Sequence, residues 1–219
     1  MLKKSERMRE ILLLAPVVPI LVIEEAAQAV PLARALVEGG LPVLEVTLRS
    51  AAAMGAIEDI ARNVPGAVVG AGTVLTATQA KDAVSVGAQF VVTPGSTPSL
   101  LKVARRIDVP TLPGVMTPSE AMTLHDDGFT VLKFFPAEAA GGADTLRALG
   151  GPLPHVHFCP TGGVGAERAA DYLALANVLA VGGTWVAPAD AVRAGDWDRV
   201  HALARQAAGL GRSMGTAHE

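Results

Sequence analysis

Residues 68–93 read VVGAGTVLTATQAKDAVSVGAQFVVT. An apolar run (68–71) leads to Thr76, which opens an alanine-rich helical stretch (76–86), and Gly87 closes that stretch before a second apolar run (90–93). Threonine ahead of a helical run can accept from its first free N–H groups, and glycine supplies the left-handed turn that ends a helix. Runs that are apolar at nearly every position suit strands covered on both faces. The stretch is therefore one strand–helix–strand unit of a parallel sheet.

The same beat runs through the chain. Apolar, β-branched runs stand at 17–22, 42–47, 68–71, 90–93, 111–112, 131–135, 157–161 and 178–181, with starts 20 to 26 residues apart. That spacing is the size of a βα unit. Alanine- and leucine-rich helical stretches fill gaps such as 26–38, 76–86, 96–106 and 118–126. Thr117-Pro118-Ser119-Glu120 forms a capping box with proline in the first turn, and Gly39-Gly40, Gly87 and Gly128 supply stops. Eight strands alternating with helices predict an α/β fold closed into a (β/α)8, or TIM, barrel; an open α/β sheet is the alternative. No shift in composition, charge run or Ser/Pro-rich linker divides the chain, so residues 1–219 are expected to form a single domain. A short N-terminal helix is expected at about 5–14, and the small, polar stretch 209–219 reads as a frayed tail.

The 219 residues are 50% hydrophobic and 18% charged, which excludes disorder. With 18 basic and 21 acidic side chains the net charge is −3, and only 4% of residues are aromatic. Neither the basic footprint nor the stacking platforms of a nucleic-acid binder are present. One cysteine, Cys159, excludes an intramolecular disulfide or a multi-cysteine metal site and suits a reducing cytoplasm. Lys3, Lys4, Arg7 and Arg9 precede the apolar run 11–23, and Ala27-Gln28-Ala29 has the look of a cleavage site. Glu6 and Glu10 among the basic residues, and Pro16 and Pro19 within the run, favour a helix and a buried strand over a leader. The run is also shorter than the ~20 residues of a membrane span, so no membrane partner is expected.

A barrel carries its chemistry at the C-terminal ends of its strands. There the sequence places Glu45, Thr47 and Arg49, then Thr73, Pro94, Pro113-Gly114, Lys133, Thr161-Gly162-Gly163 and Gly182-Gly183-Thr184. Lys133 stands in Val131-Leu132-Lys133-Phe134-Phe135, a strand with no other polar side chain. Alternation sets residues 131, 133 and 135 on one face. If that face is the interior, the amine is desolvated, which favours its neutral, nucleophilic form and Schiff-base chemistry. A lysine reaching to water or paired with a carboxylate is the other reading. Glu45 shares its face with residues 43, 47 and 49, opposite apolar 44, 46 and 48. A carboxylate near such an amine can relay protons, and Arg49 can bind a substrate carboxylate through two N–H groups. A structural Glu45–Arg49 or Glu45–Lys133 ion pair would also account for the charges.

Gly162, Gly163, Gly182 and Gly183, with the hydroxyls of Thr161 and Thr184, follow strands seven and eight, where barrels commonly bind phosphate through backbone N–H groups. Plain turn glycines are the other reading. Gly70-Ala71-Gly72 lacks the third glycine of a dinucleotide fingerprint and is set aside. Cys159 shares a face with His157 but lies before its strand end, so it reads as a buried, inert thiol. His125, His155, His201 and His218 fall in no metal-ligand pattern, and no metal site is expected. Trp185 and Trp197 read as packing residues.

The stretches EVTLRS (45–50), GAGTVL (70–75), FVVTPG (90–95), PGVMTPSEA (113–121), LKFFPAEAAGG (132–142), FCPTGGV (158–164) and VGGTW (181–185) resemble the 2-keto-3-deoxy-6-phosphogluconate (KDPG) aldolases over nearly the whole chain. These are class I Schiff-base aldolases of the Entner–Doudoroff pathway. LKFFPAE and FCPTGG are specific to that resemblance, whereas GAGTV alone would not be. The resemblance implies that Lys133 forms the Schiff base and that Glu45 is the general acid/base. It implies that Arg49 and Thr73 bind the substrate carboxylate and that Pro94 and Phe135 line the pyruvyl pocket. Thr161, Gly162, Gly163 and residue 184 match the hydroxyl- and phosphate-binding end. It further implies a (β/α)8 homotrimer with no metal or other cofactor. The reaction is reversible cleavage of 2-dehydro-3-deoxy-6-phospho-D-gluconate to pyruvate and D-glyceraldehyde 3-phosphate. Many members also cleave 4-hydroxy-2-oxoglutarate, which stands as the alternative main activity. A non-covalent sugar-phosphate-binding barrel is the reading from another class. Position 184 is Thr where the family pattern has Ser, which keeps the hydroxyl and adds a methyl. Galactonate-specific relatives tend to be apolar at the positions matching 161 and 184, so two threonines favour the gluconate configuration.

Overall fold

Apolar runs on adjacent strands pair to bury both faces at once, and the alternation of each strand sorts its side chains between two separate cores. A computed structural model, which describes residues 1–211, contains β1 (Val17–Leu21), β2 (Val43–Thr47), β3 (Val68–Gly72), β4 (Val91–Val92), β5 (Thr111–Leu112), β6 (Gly114–Val115), β7 (Val131–Phe134), β8 (His157–Pro160) and β9 (Val181–Gly183). All pairings between these strands are parallel, in the orders β5-β4-β3-β2-β1-β9 and β6-β7-β8. Isolated parallel bridges, Phe158 to Val178 and Thr161 to Gly182, link β8 to the segment entering β9 and to β9 itself. The result is an α/β fold around a curled parallel sheet.

The expected fifth strand differs from the eight-run reading, because it is two short strands broken at Pro113. Proline has no N–H to donate to a ladder. β5 pairs with β4, β6 pairs with β7, and the Pro113 carbonyl accepts from Lys133 N–H at 2.9 Å, so the chain changes partners at that residue. The last run also shifts: Val178 makes a single bridge, and the ladder proper begins at Val181.

Ten α-helices lie among the described residues: α1 (Leu2–Leu12), α2 (Ala29–Glu38), α3 (Ala53–Asn63), α4 (Ala77–Ser85), α5 (Pro98–Ala104), α6 (Pro118–Asp126), α7 (Gly142–Gly150), α8 (Ala166–Leu173), α9 (Ala189–Ala194) and α10 (Trp197–Ala208). Their starts follow local chemistry. Thr76 and Thr117 form capping boxes with Gln79 and Glu120, and Thr97 caps α5 ahead of Pro98. Gly40, Gly87 and Gly128 take positive φ where chains leave α2, α4 and α6. The predicted 26–38 helix begins instead with a 3₁₀ turn at Ala26–Gln28, and α1 starts and ends earlier than 5–14. Of the expected tail, residues 212–219 lie outside the described residues, as does His218; Gly209 caps α10.

Outward-facing Leu44, Val46, Leu132, Phe134 and Phe158 pack against helix residues such as Leu36, Ile57, Ile60 and Leu146. Inward-facing Val18, Val43, Phe90, Val92, Leu112, Val131 and Cys159 form a second core with Met8, Ile11 and Leu12 of α1. The N-terminal helix thus closes one end of the curled sheet. Lys4 Nζ fastens it by donating to the carbonyls of Ala104 (3.1 Å), Arg105 (3.2 Å) and Ile107, where α5 ends. Ser5 Oγ donates to Gly128 O and accepts from Thr130 N–H. No helix of the described residues is long and apolar enough to cross a membrane.

Candidate active site

The end of the sheet away from α1 opens into a cavity of about 270 Å³. Its deepest polar groups come from facing strands. Lys133 on β7 and Glu45 on β2 each point inward two residues beyond an apolar neighbour of the second core, Val131 and Val43. Their side chains are 6% and 3% exposed, and Nζ lies 3.2 Å from Glu45 Oε1. The same amine stands 5.4 Å from the centre of the Phe135 ring. Gly72, on the neighbouring strand opposite Thr47, makes this arrangement possible, because a Cβ there would run into the Glu45 carboxylate. The GAG segment set aside as a nucleotide fingerprint thus owes its second glycine to the space Glu45 occupies.

Exposure rises towards the rim. Thr47 is buried, donates to Leu21 O at 2.8 Å and accepts from Arg49 Nε at 3.1 Å, which aims the exposed guanidinium. Thr73 stands beside it in the cavity wall with φ +55°, a left-handed backbone that a β-branched residue adopts only under constraint. Pro94 and Phe135 also line the cavity, and the Phe135 ring lies close to Gly162. Thr161, Gly162, Gly163, Gly182, Gly183 and Thr184 line the same cavity. Gly162 and Gly163 have φ +101° and +81°, and their N–H groups find no acceptor among the described residues. A Cβ at Gly182 would strike the Thr161 hydroxyl, and one at Gly183 would strike the Trp185 ring, so both positions need glycine.

Every residue that the sequence singled out for substrate or catalysis therefore lines one cavity. Three further lining residues, Ile20, Thr47 and Val164, received no assigned role. Ile20 sits in an apolar run where residue type carries no signal, although inward alternation along β1 could have found it; Val164 is a lone apolar residue between two loop glycines. Pro113 and Gly114, named as strand-end residues, are buried outside the lining; a Cβ at Gly114 would meet the Pro94 carbonyl.

Cys159 is the register partner of Lys133 on the neighbouring strand β8. Burial, reinforced by the Glu45 charge, pushes its thiol up to about 12, so it stays protonated and inert. His157, at the opposite end of that strand, is held below the usual imidazole range by burial and then by Arg9 and His155. Trp185 and Trp197 pack against the outer core. Among the described residues no group of three His, Cys, Asp or Glu side chains could hold a metal ion.

An amine against a carboxylate, in a cavity that also carries a guanidinium and free backbone N–H groups, suits a small substrate with more than one anionic group. The family model for KDPG and KHG aldolase matches residues 8–203. The chain belongs to the KDPG and KHG aldolase family. It is 50% identical over 192 residues to the 2-dehydro-3-deoxy-phosphogluconate aldolase of Pseudoalteromonas atlantica, covering 88% of this chain and 89% of that one. Among KDPG aldolases of known structure it is similar to the Legionella pneumophila enzyme, which was captured with pyruvate as a covalent carbinolamine (TM-score 0.90, 41% identity, 92% and 98% of the two chains covered). It is equally similar to the Zymomonas mobilis KDPG aldolase bearing 3-phosphoglycerate (TM-score 0.90, 43% identity, 97% and 99% covered).

Proposed function

We propose that this chain is a class I aldolase that cleaves 2-dehydro-3-deoxy-6-phospho-D-gluconate reversibly to pyruvate and D-glyceraldehyde 3-phosphate. The observation that carries the reading is the buried Lys133–Glu45 pair, 3.2 Å apart, at the bottom of the cavity. Lys133 Nζ adds to the C2 ketone, and Glu45 delivers the proton that lets the carbinolamine lose water. The iminium draws the C3–C4 bonding electrons as Glu45, through a water, takes the proton of the C4 hydroxyl. Glyceraldehyde 3-phosphate leaves, the enamine is protonated at C3, and hydrolysis releases pyruvate and the free amine. Arg49 and Thr73 hold the substrate carboxylate, with Pro94 and Phe135 against the pyruvyl carbons. The phosphate sits against Thr161, Gly162, Gly163, Gly182, Gly183 and Thr184; the free N–H groups of Gly162 and Gly163 support this assignment.

The chain is further read as one domain closed into a (β/α)8 barrel. The partner change at Pro113 and the bridges from β8 to β9 support closure. A cytoplasmic homotrimer working without a cofactor completes the proposal, in keeping with the resemblance and with a single, reduced Cys159. The test is borohydride reduction in the presence of pyruvate followed by peptide mass spectrometry. A reduced pyruvyl adduct is expected on Lys133; its absence, with a known aldolase labelled in parallel, overturns the Schiff-base mechanism in favour of a sugar-phosphate-binding protein.

A further inference from the structure

The loop bearing Gly162 and Gly163 is braced from behind by residues that never reach the cavity. Its carbonyls are tied to the segment that follows the lysine strand: Thr161 O accepts from Ala137 N–H at 2.8 Å, and Gly162 O from Glu138 N–H at 3.0 Å. The Glu138 side chain then folds over the loop so closely that a Cβ at Gly163 would lie 2.8 Å from its Cβ and Cγ. Oε1 of that carboxylate accepts from the Tyr172 hydroxyl at 2.5 Å. Tyr172 is fully buried, on the helix that begins just after the loop. Arg168 approaches the other oxygen only at 3.9 Å and is half exposed.

These contacts form a bracket. One arm is the chain leaving Lys133, the other is α8, and the loop with its two left-handed glycines is clamped between them. Glycines have no side chains with which to hold their own orientation, so the direction of their free N–H groups depends on what lies behind. A buried phenol leaves its hydrogen bond unmade only at a cost, so the Tyr172–Glu138 contact resists any tilt of the loop. We propose that Tyr172 and Glu138 are positioning residues that hold the Gly162–Gly163 loop at a set distance from Lys133, and so tune affinity for the phosphorylated end of the substrate without touching it. This rests on the reading of that loop as the phosphate site.

The test compares Tyr172→Phe, Glu138→Gln and Glu138→Ala with wild type on 2-dehydro-3-deoxy-6-phospho-D-gluconate and on phosphate-free 4-hydroxy-2-oxoglutarate, with inorganic phosphate as competitor. Tyr172→Phe is expected to raise KM for the phosphorylated substrate and the inhibition constant of inorganic phosphate roughly tenfold. Its kcat, and both constants on the phosphate-free substrate, should stay within about twofold. Glu138→Gln keeps an oxygen that accepts from the phenol and should behave as wild type; Glu138→Ala should behave as Tyr172→Phe. If Tyr172→Phe does not fold, the contrast between the two Glu138 variants decides. Equal losses on both substrates make the bracket a general brace and overturn the proposal, as does no change on either. A wild type that neither prefers the phosphorylated substrate nor is inhibited by phosphate overturns the phosphate-site reading, and this proposal with it. A wild type that shows both, beside unaltered variants, removes the bracket alone.

Discussion

The two ends of the curled sheet are built from the same strands and treated in opposite ways. At one end Met8, Ile11 and Leu12 of α1 fill the interior against Val43, Val131 and other apolar side chains. At the other the interior is left open and lined by Glu45, Lys133 and Thr161. The change occurs within one pleat: Val43 to Glu45, Val131 to Lys133 and Cys159 to Thr161 are each steps of two residues on one face, about 6.6 Å along the strand. Buried charge is confined to the level where a substrate can reach it, directly above a layer that excludes water. Stability and chemistry are thereby separated along the strand axis, and substitutions on either side of that boundary should have effects of different kinds.

Lys133→Arg tests the open end most severely. The guanidinium keeps a charge beside Glu45 but cannot form an imine, so turnover should fall by roughly 10⁴-fold or more while thermal unfolding moves little. Appreciable turnover by this variant would remove the Schiff-base assignment. A loss of unfolding temperature comparable to that of a core truncation would instead make the pair structural. Glu45→Gln comes next. The amide oxygen can still accept from Lys133, so the fold should persist, but proton relay is lost and kcat should drop by roughly 10²–10⁴-fold. A pH–rate profile superimposable on wild type would show that the proton is carried by another group.

Leu12→Ala probes the closed end. Leu12 is 1% exposed, and truncation there should cost about 2–5 kcal/mol of stability, read by denaturant unfolding. The folded fraction should keep wild-type kcat within about twofold, because the cavity left behind lies beneath the reacting layer. A large fall in kcat without loss of stability would show that the plug and the site are coupled, and that the boundary between the two ends is not real.

Much of this division is legible in the order of the residues themselves. Strands of a parallel sheet covered on both faces are apolar throughout, so a lone charge such as Lys133 or Glu45 stands out against its neighbours, and alternation assigns its face. The caps at Thr76 and Thr117 are local chemistry and read directly. What lies in distant contacts does not read. The stripe Met8, Ile11, Leu12 announces a buried helix face, but nothing in it says that the buried space is the inside of the sheet. Pro113 is visible as a breaker, yet the exchange of partners across it depends on β4 and β7, which lie on the far sides of α5 and α6. Ile20 lines the cavity as one apolar residue in an apolar run. Tyr172 and Glu138, 34 residues apart, meet only because the helix and the loop fold onto each other.

The smallest effect should come from the rim of the open end, at Thr184. Thr184 is exposed at the edge of the cavity, beside buried Gly182 and Gly183. On the proposed phosphate-site reading its hydroxyl serves the phosphate, and its side chain stands at an exposed position. Thr184→Ser should therefore leave kcat unchanged and shift KM for the phosphorylated substrate by no more than about twofold, since only a methyl at an exposed position is removed. Thr184→Val, which keeps the shape and deletes the hydroxyl, should raise that KM by roughly tenfold while sparing phosphate-free 4-hydroxy-2-oxoglutarate. Steady-state kinetics on the two substrates distinguish the cases. If the serine variant instead gained strongly in affinity, the methyl would be obstructing the phosphate, and the rim would be as tightly fitted as the layer around Lys133.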